Sequence, residues 1–105
     1  MAKPENMQIV PEITSKELSN KRAKKEDFVL LDVREEDERK LSRIGNDLFI
    51  PMSVLSGRFK ELPKNKEIII YCRSGVRSYN VAAFLIRNGF NAVSLKGGID
   101  NWQKK

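Results

Sequence analysis

The segment Glu67-Ile68-Ile69-Ile70-Tyr71 constrains this chain more than any other. After Glu67 every residue is β-branched or aromatic, and the run is apolar in both phases of the two-residue strand period. A strand of this kind buries both faces, which places it inside a parallel sheet covered by helices on either side. Phe28-Val29-Leu30-Leu31 is a second buried strand. Leu48-Phe49-Ile50 is a shorter apolar run ended by Pro51, Ala92 to Leu95 is a final strand, and Gln8-Ile9-Val10 is a short strand candidate near the start.

Helical signals fill the intervals. Thr14-Ser15-Lys16-Glu17 has capping-box spacing and opens a polar helix to about Lys24. Glu35 to Leu41 is a charged helical stretch, and Val54 to Lys60 accommodates a short helix. After a loop from Arg73 to Arg77, the stretch Ser78 to Asn88 sets Val81, Ala82, Leu85 and Ile86 at helical spacing, with Gly89 as a left-handed stop. A last short helix after Gly97-Gly98 carries Trp102. This alternation predicts an α/β domain: a largely parallel central sheet of about five strands, flanked by helices on both faces. With 105 residues, one core suffices, so residues 1–7 read as a flexible leader and 8–105 as a single domain.

Composition removes several functions. Histidine is absent, which excludes serine–histidine–aspartate triads, cysteine–histidine pairs and most zinc sites. The single cysteine, Cys72, can form neither an internal disulfide nor a metal site alone, so no metal is expected. No segment approaches the roughly 20 apolar residues of a membrane span, and Met1 to Asn6 lacks the apolar run of a signal peptide. The expectation is a cytoplasmic protein that does not contact membranes. A net charge of +6 suits an anionic substrate, an acidic partner or nucleic acid. Nucleic acid is the weakest of these, because the cluster Lys21-Arg22-Ala23-Lys24-Lys25 has no interleaved aromatic residue and reads as a solvated helix face.

Ligands of open parallel sheets bind outside the carboxyl ends of the strands, where Cys72 lies. Tyr71-Cys72-Arg73-Ser74-Gly75-Val76-Arg77-Ser78 sets a thiol between a buried strand and a helix N-terminus, with two arginines and no acid inside the segment. A cation about 4 Å away contributes up to about 4 kcal/mol at an effective dielectric near 20, and one pKa unit is about 1.4 kcal/mol, so these arginines favour the thiolate. Helix-terminal amides act in the same direction. The amides of Arg73 to Ser78 can converge as an anion nest, with Gly75 supplying backbone freedom. The competing reading is a small buried hydrophobe at a strand end, with Arg73 and Arg77 as ordinary surface charges.

Three ordered segments carry a resemblance. Leu31-Asp32-Val33-Arg34-Glu35 resembles the early signature of the rhodanese family, Tyr71 to Ser78 resembles its active-site loop, and Leu95-Lys96-Gly97-Gly98-Ile99-Asp100-Asn101-Trp102 resembles its C-terminal signature. Ala82-Ala83 and Asn88-Gly89-Phe90 fall between the last two, and the resemblance covers roughly residues 8 to 103. It implies a sulfurtransferase in which Cys72 is the nucleophile and carries sulfur as a persulfide, without a cofactor. Arg73, Ser74, Gly75, Val76, Arg77 and Ser78 would bind substrate, through their amides and the two guanidinium groups. Asp32 and Arg34 would brace the site, while Gly97, Gly98 and Trp102 read as a turn and a core anchor. The implied partners are a sulfane donor such as thiosulfate, a thiol or cyanide acceptor, and an acidic sulfur-relay protein.

Ser42-Arg43-Ile44-Gly45-Asn46-Asp47 departs from the family pattern, which often reads Gly-His-Ile-Pro-Gly-Ala, so Arg43 stands at the histidine position. A cysteine-dependent phosphatase is the second enzymatic reading, but only four residues separate Cys72 from Arg77 and the resemblance implies a longer loop for phosphatases. A noncatalytic module of the same fold is the third reading, opposed by the intact cysteine loop.

Overall fold

The computed structural model describes residues 9–104. The leader expected over residues 1–7 and Gln8 therefore lie outside the described residues. In chain order the elements are β1 (Glu12–Ile13), α1 (Ser15–Ala23), β2 (Phe28–Asp32), α2 (Glu36–Leu41), β3 (Leu48–Phe49), α3 (Leu55–Arg58), β4 (Glu67–Tyr71), α4 (Val76–Arg87), β5 (Asn91–Leu95) and α5 (Gly98–Lys104). Short 3₁₀ turns at Met52–Val54 and Phe59–Glu61 flank α3. All five strands are parallel, in the order β1-β5-β4-β2-β3, so the Ile-rich β4 is central as its sequence requires.

The strand period sorts the core into two layers. Ile68, Ile70 and Cys72 face one side and pack with Leu55, Val81, Ala82 and Leu85 from α3 and α4. Ile69 and Tyr71 face the other side and pack with Leu18, Leu95 and Ile99, with Trp102 half-buried beside them. Cys72 thus continues the phase of Ile68 and Ile70, and its side chain is delivered to the N-terminus of α4.

The structure moves two boundaries. The first strand is Glu12–Ile13, and Ile9 is 90% exposed while Val10 is buried outside any strand. What positions this edge strand is its ladder to β5, in which the Ser94 amide donates to the Pro11 carbonyl and the Lys96 amide to the Ile13 carbonyl. The apolar run Ile9-Val10 does not decide it. The second correction concerns α4, which starts at Val76 rather than Ser78. Gly75 adopts φ 104°, a left-handed conformation that turns the chain into the helix two residues early. The capping box is present as expected: the Glu17 amide donates to Thr14 Oγ1 at 3.1 Å and the Thr14 amide to Glu17 Oε1 at 2.8 Å.

Candidate active site

Cys72 follows the last residue of β4 and is 1% exposed. Its sulfur accepts hydrogen bonds from the amides of Gly75 at 3.2 Å and Ser78 at 3.3 Å, and lies 3.5 Å from the Ser78 hydroxyl. Burial pushes the thiol up, but the Ser78 hydroxyl and the amides of Ser78, Gly75 and Ser74 outweigh it and hold Cys72 below its ordinary value. The first-turn amides of Val76 and Arg77 have no acceptor within α4, because the first turn of any helix leaves its donors unpaired. The loop is therefore a set of backbone donors around one sulfur.

Those donors converge because the opposing carbonyls are held elsewhere. The amides of Ile99 and Asp100, at the start of α5, donate to the carbonyls of Cys72 at 2.9 Å and Arg73 at 3.1 Å. Gly98 makes this contact possible: it has φ +62°, and a β-carbon there would collide with the backbone carbonyls of Arg73 and Cys72. The Gly97-Gly98 pair is thus more than a turn. It lets α5 seat directly on the back of the cysteine loop.

The two arginines are placed differently from the sequence expectation of uncompensated charges. Arg73 is an exposed side chain that faces Asp100 at 3.8 Å. Arg77 is half-buried, and both its terminal nitrogens donate to Glu38, at 2.7 and 2.8 Å. The Arg77 pair and the Glu35 amide hold the Glu38 carboxyl down at about 2 against the opposing effect of burial. Arg77 itself is raised by Glu38, and lies within Coulombic reach of Cys72. Acids from α2 and α5 therefore compensate the cations of the loop, although the loop sequence contains none.

Asp32 and Arg34 form a buried pair beneath the site. Arg34 donates from Nε to Asp32 Oδ1 and from NH2 to Oδ2, both at 3.0 Å, and reaches the Ser42 carbonyl at 2.6 Å. Arg39 joins Asp32 to Asp47, at 2.9 and 2.8 Å, and the Tyr71 hydroxyl donates to Asp47 at 2.6 Å while accepting from the Ile44 amide. These bonds tie the ends of β2 and β4 to the segment carrying Arg43, which is exposed. Among the described residues, no three histidine, cysteine, aspartate or glutamate side chains are grouped to hold a metal, and no helix is long and apolar enough to cross a membrane.

Sequence reasoning passed over three contributors. Glu38 has capping-box spacing from Glu35, a readable signal, but nothing local links it to Arg77, 39 residues away. Ser94 on β5 is fully buried with its hydroxyl 2.8 Å from that of Ser78, and its sequence position carries no sign of this. The α5 amides were hidden for the same reason.

A parallel sheet with a thiol at the carboxyl end of its central strand, ringed by amides and backed by a glycine-seated helix, defines the rhodanese class of domain. Residues 14–105 match the model of the rhodanese-like domain, and the chain belongs to that family. It is 40% identical over 97 residues to a sulfurtransferase of Allochromatium vinosum, covering 91% of each chain. It is 37% identical over 81 residues to the thiosulfate sulfurtransferase GlpE of Coxiella burnetii, covering 76% of each. Among solved structures, a rhodanese-like domain protein from Staphylococcus aureus superposes with a TM-score of 0.84 at 34% identity, over 89% of this chain and 91% of that one. The family is one of rhodanese-type sulfurtransferases.

Proposed function

We propose that this protein is a sulfurtransferase that moves a sulfane sulfur through a persulfide on Cys72. The observation that carries the reading is the convergence of the Gly75 and Ser78 amides and the Ser78 hydroxyl on the Cys72 sulfur. The thiolate attacks the outer sulfur of the donor. With thiosulfate, the sulfur–sulfur bond of the donor breaks, a new one forms to Cys72, and sulfite leaves with the bonding pair. The first-turn amides of Val76 and Arg77 are available to the added sulfur, one bond further out than Sγ. An acceptor thiolate or cyanide then attacks that outer sulfur and the Cys72 thiolate departs, so no cofactor enters the balance.

Two clefts flank the loop and offer routes for donor and acceptor. One of about 280 Å³ is lined by Arg34, Glu38, Ser42, Arg73 and Asp100. The other, about 540 Å³, is lined by Gly75, Val76, Tyr79, Lys96 and Asn101. The name of the Coxiella burnetii relative supports thiosulfate as one donor. A small anionic donor, an acceptor thiol or cyanide, an acidic sulfur-relay protein as a macromolecular acceptor, and a cytoplasmic setting complete the reading.

Intact mass after incubation with thiosulfate tests it. One sulfur atom should be added to the parent protein and none to Cys72→Ser, and cyanide should remove it with release of thiocyanate. Failure of every sulfane donor to load Cys72 would sink the proposal and leave a noncatalytic module of this fold.

A further inference from the structure

We infer that Glu38 is a specificity-determining residue which, by neutralising Arg77, turns the site away from donors with a dianionic reacting end and toward persulfides of thiols. This inference rests on the sulfurtransferase reading above and narrows its donor class.

Three arginines lie around the cysteine loop and each meets an acid, while Lys96 lines the cleft on the far side of Gly75. Arg34 is held bidentately by Asp32, deep beneath the site. Arg73 projects into solvent with Asp100 nearby, where water and salt screen it. Arg77 is the one whose position matters most, since it belongs to the first turn of α4 together with the cradle amides. Both terminal nitrogens of its guanidinium point to the Glu38 carboxylate in a forked, charge-assisted pair. Glu38 is itself locked, because Oε1 also accepts from the Glu35 amide at 3.0 Å. A second acid, Glu35, lies within Coulombic reach of Arg77. The guanidinium is thus neutralised by a locked carboxylate that itself lines the cleft beside the loop.

The consequence follows from where the donors carry charge. Thiosulfate bears its sulfonate one bond from the reacting sulfur, so a free arginine at the loop would attract it and the neighbouring Glu38 carboxylate repels it. A thiol persulfide carries at most one charge at its reacting end. In that transfer the Cys72 thiolate attacks the outer sulfur of R–S–SH, the sulfur–sulfur bond of the donor breaks, and R–S⁻ leaves with the bonding pair as Cys72–S–SH forms. The cradle amides can hold the sulfur in either case. Only the sulfonate feels the missing cation strongly.

Glu38→Gln keeps the shape of the side chain and removes its charge. Single-turnover loading and steady-state rates should be measured with thiosulfate and with the persulfide of mercaptoethanol, an uncharged small thiol. The variant should bind thiosulfate more tightly, with KM lower by about five-fold or more, and its kcat/KM ratio of thiosulfate over persulfide should rise by a similar factor. Inorganic phosphate should also become a stronger competitive inhibitor. In Glu38→Gln combined with Arg77→Gln the gain should vanish, since the cation that Glu38 masks is gone. Glu38→Asp keeps the charge with a looser fork and should fall between parent and Glu38→Gln, which provides the reading if the glutamine variant is poorly folded. A rise in thiosulfate KM on losing Glu38 would overturn the inference, because it would mean that Glu38 merely holds Arg77 in place as an anion binder. A gain that persists in the double variant would overturn it too. Failure of the parent to accept sulfur from either donor would instead remove the sulfurtransferase reading on which it rests.

Discussion

Gly98→Ala is a severe test of how the cysteine loop is held. An added β-carbon meets the backbone carbonyls of Cys72 and Arg73, atoms that cannot swing aside as a flexible side chain would. Residue 98 sits at φ +62°, which costs an alanine about 1 kcal/mol before any collision. To relieve the contact α5 must back away from the loop, and the hydrogen bonds from Ile99 to the Cys72 carbonyl and from Asp100 to the Arg73 carbonyl lengthen or break. Each is worth about 1 kcal/mol net, so the total is about 3 kcal/mol. For a domain of this size that lowers Tm by roughly 12–20 °C. Gly57, in α3, is the control: nothing lies within 4 Å of the β-carbon it would gain, and Gly57→Ala should be neutral or stabilise by less than about 1 kcal/mol. The assay is thermal and urea unfolding of both variants, paired with the rate of Cys72 alkylation. Gly98→Ala should unfold early and its thiol should lose reactivity, since the amides are no longer aimed at the sulfur. Unfolding and alkylation both within error of the parent would refute the idea that α5 fixes the cradle.

Two further outcomes are expected. Alkylation of Cys72 against pH should inflect below the ordinary thiol value of about 8.5; Ser78→Ala should move the inflection upward and Ser94→Ala should move it less, because Ser94 only biases the Ser78 hydroxyl. An unmoved inflection in Ser78→Ala would assign the acidity to the amides alone. Acid should selectively remove the contribution of Glu38: a carboxyl depressed on folding to about 2 stabilises the fold above its unfolded value and loses that contribution as pH falls through the folded one. Urea midpoints of the parent and Glu38→Gln should therefore converge between about pH 4.5 and pH 2, and a gap that stays constant over that range would show that the pair does not stabilise the fold.

What the sequence made legible was whatever depends on local period. The two apolar phases of Glu67–Tyr71 place β4 at the centre, and continuing that phase by two residues brings Cys72 to the α4 layer. Thr14 and Glu17 announce α1 because a capping box is complete within four residues. Expectations failed where a distant partner decides. The register of β1 follows β5, some 80 residues later, so an apolar run at Ile9-Val10 misplaced it. The loop arginines looked uncompensated because Glu38 and Asp100 reach them only through the fold. The start of α4 lay in between: Gly75 was readable as a flexible point, but its left-handed turn, which recruits Val76 and Arg77 into the helix, belongs to the packing of Gly75 against Leu95 and Gly97.

The arrangement separates two properties that a thiol site usually couples. A cysteine made acidic by a free arginine necessarily also attracts dianions, since the same charge serves both ends. Here the acidity is supplied by dipoles, namely the amides of Gly75 and Ser78 and the Ser78 hydroxyl, whose fields fall off faster with distance than that of a cation. Charge at the mouth is then set independently by the Glu38–Arg77 pair. The proposed persulfide chemistry would benefit from that division, because the outer sulfur of a Cys72–S–S⁻ intermediate would also be an anion and a strong cation beside it would hold it against the acceptor. Donors made of backbone amides can stabilise thiolate and persulfide alike, and release the sulfur to an incoming nucleophile without an ion pair having to break.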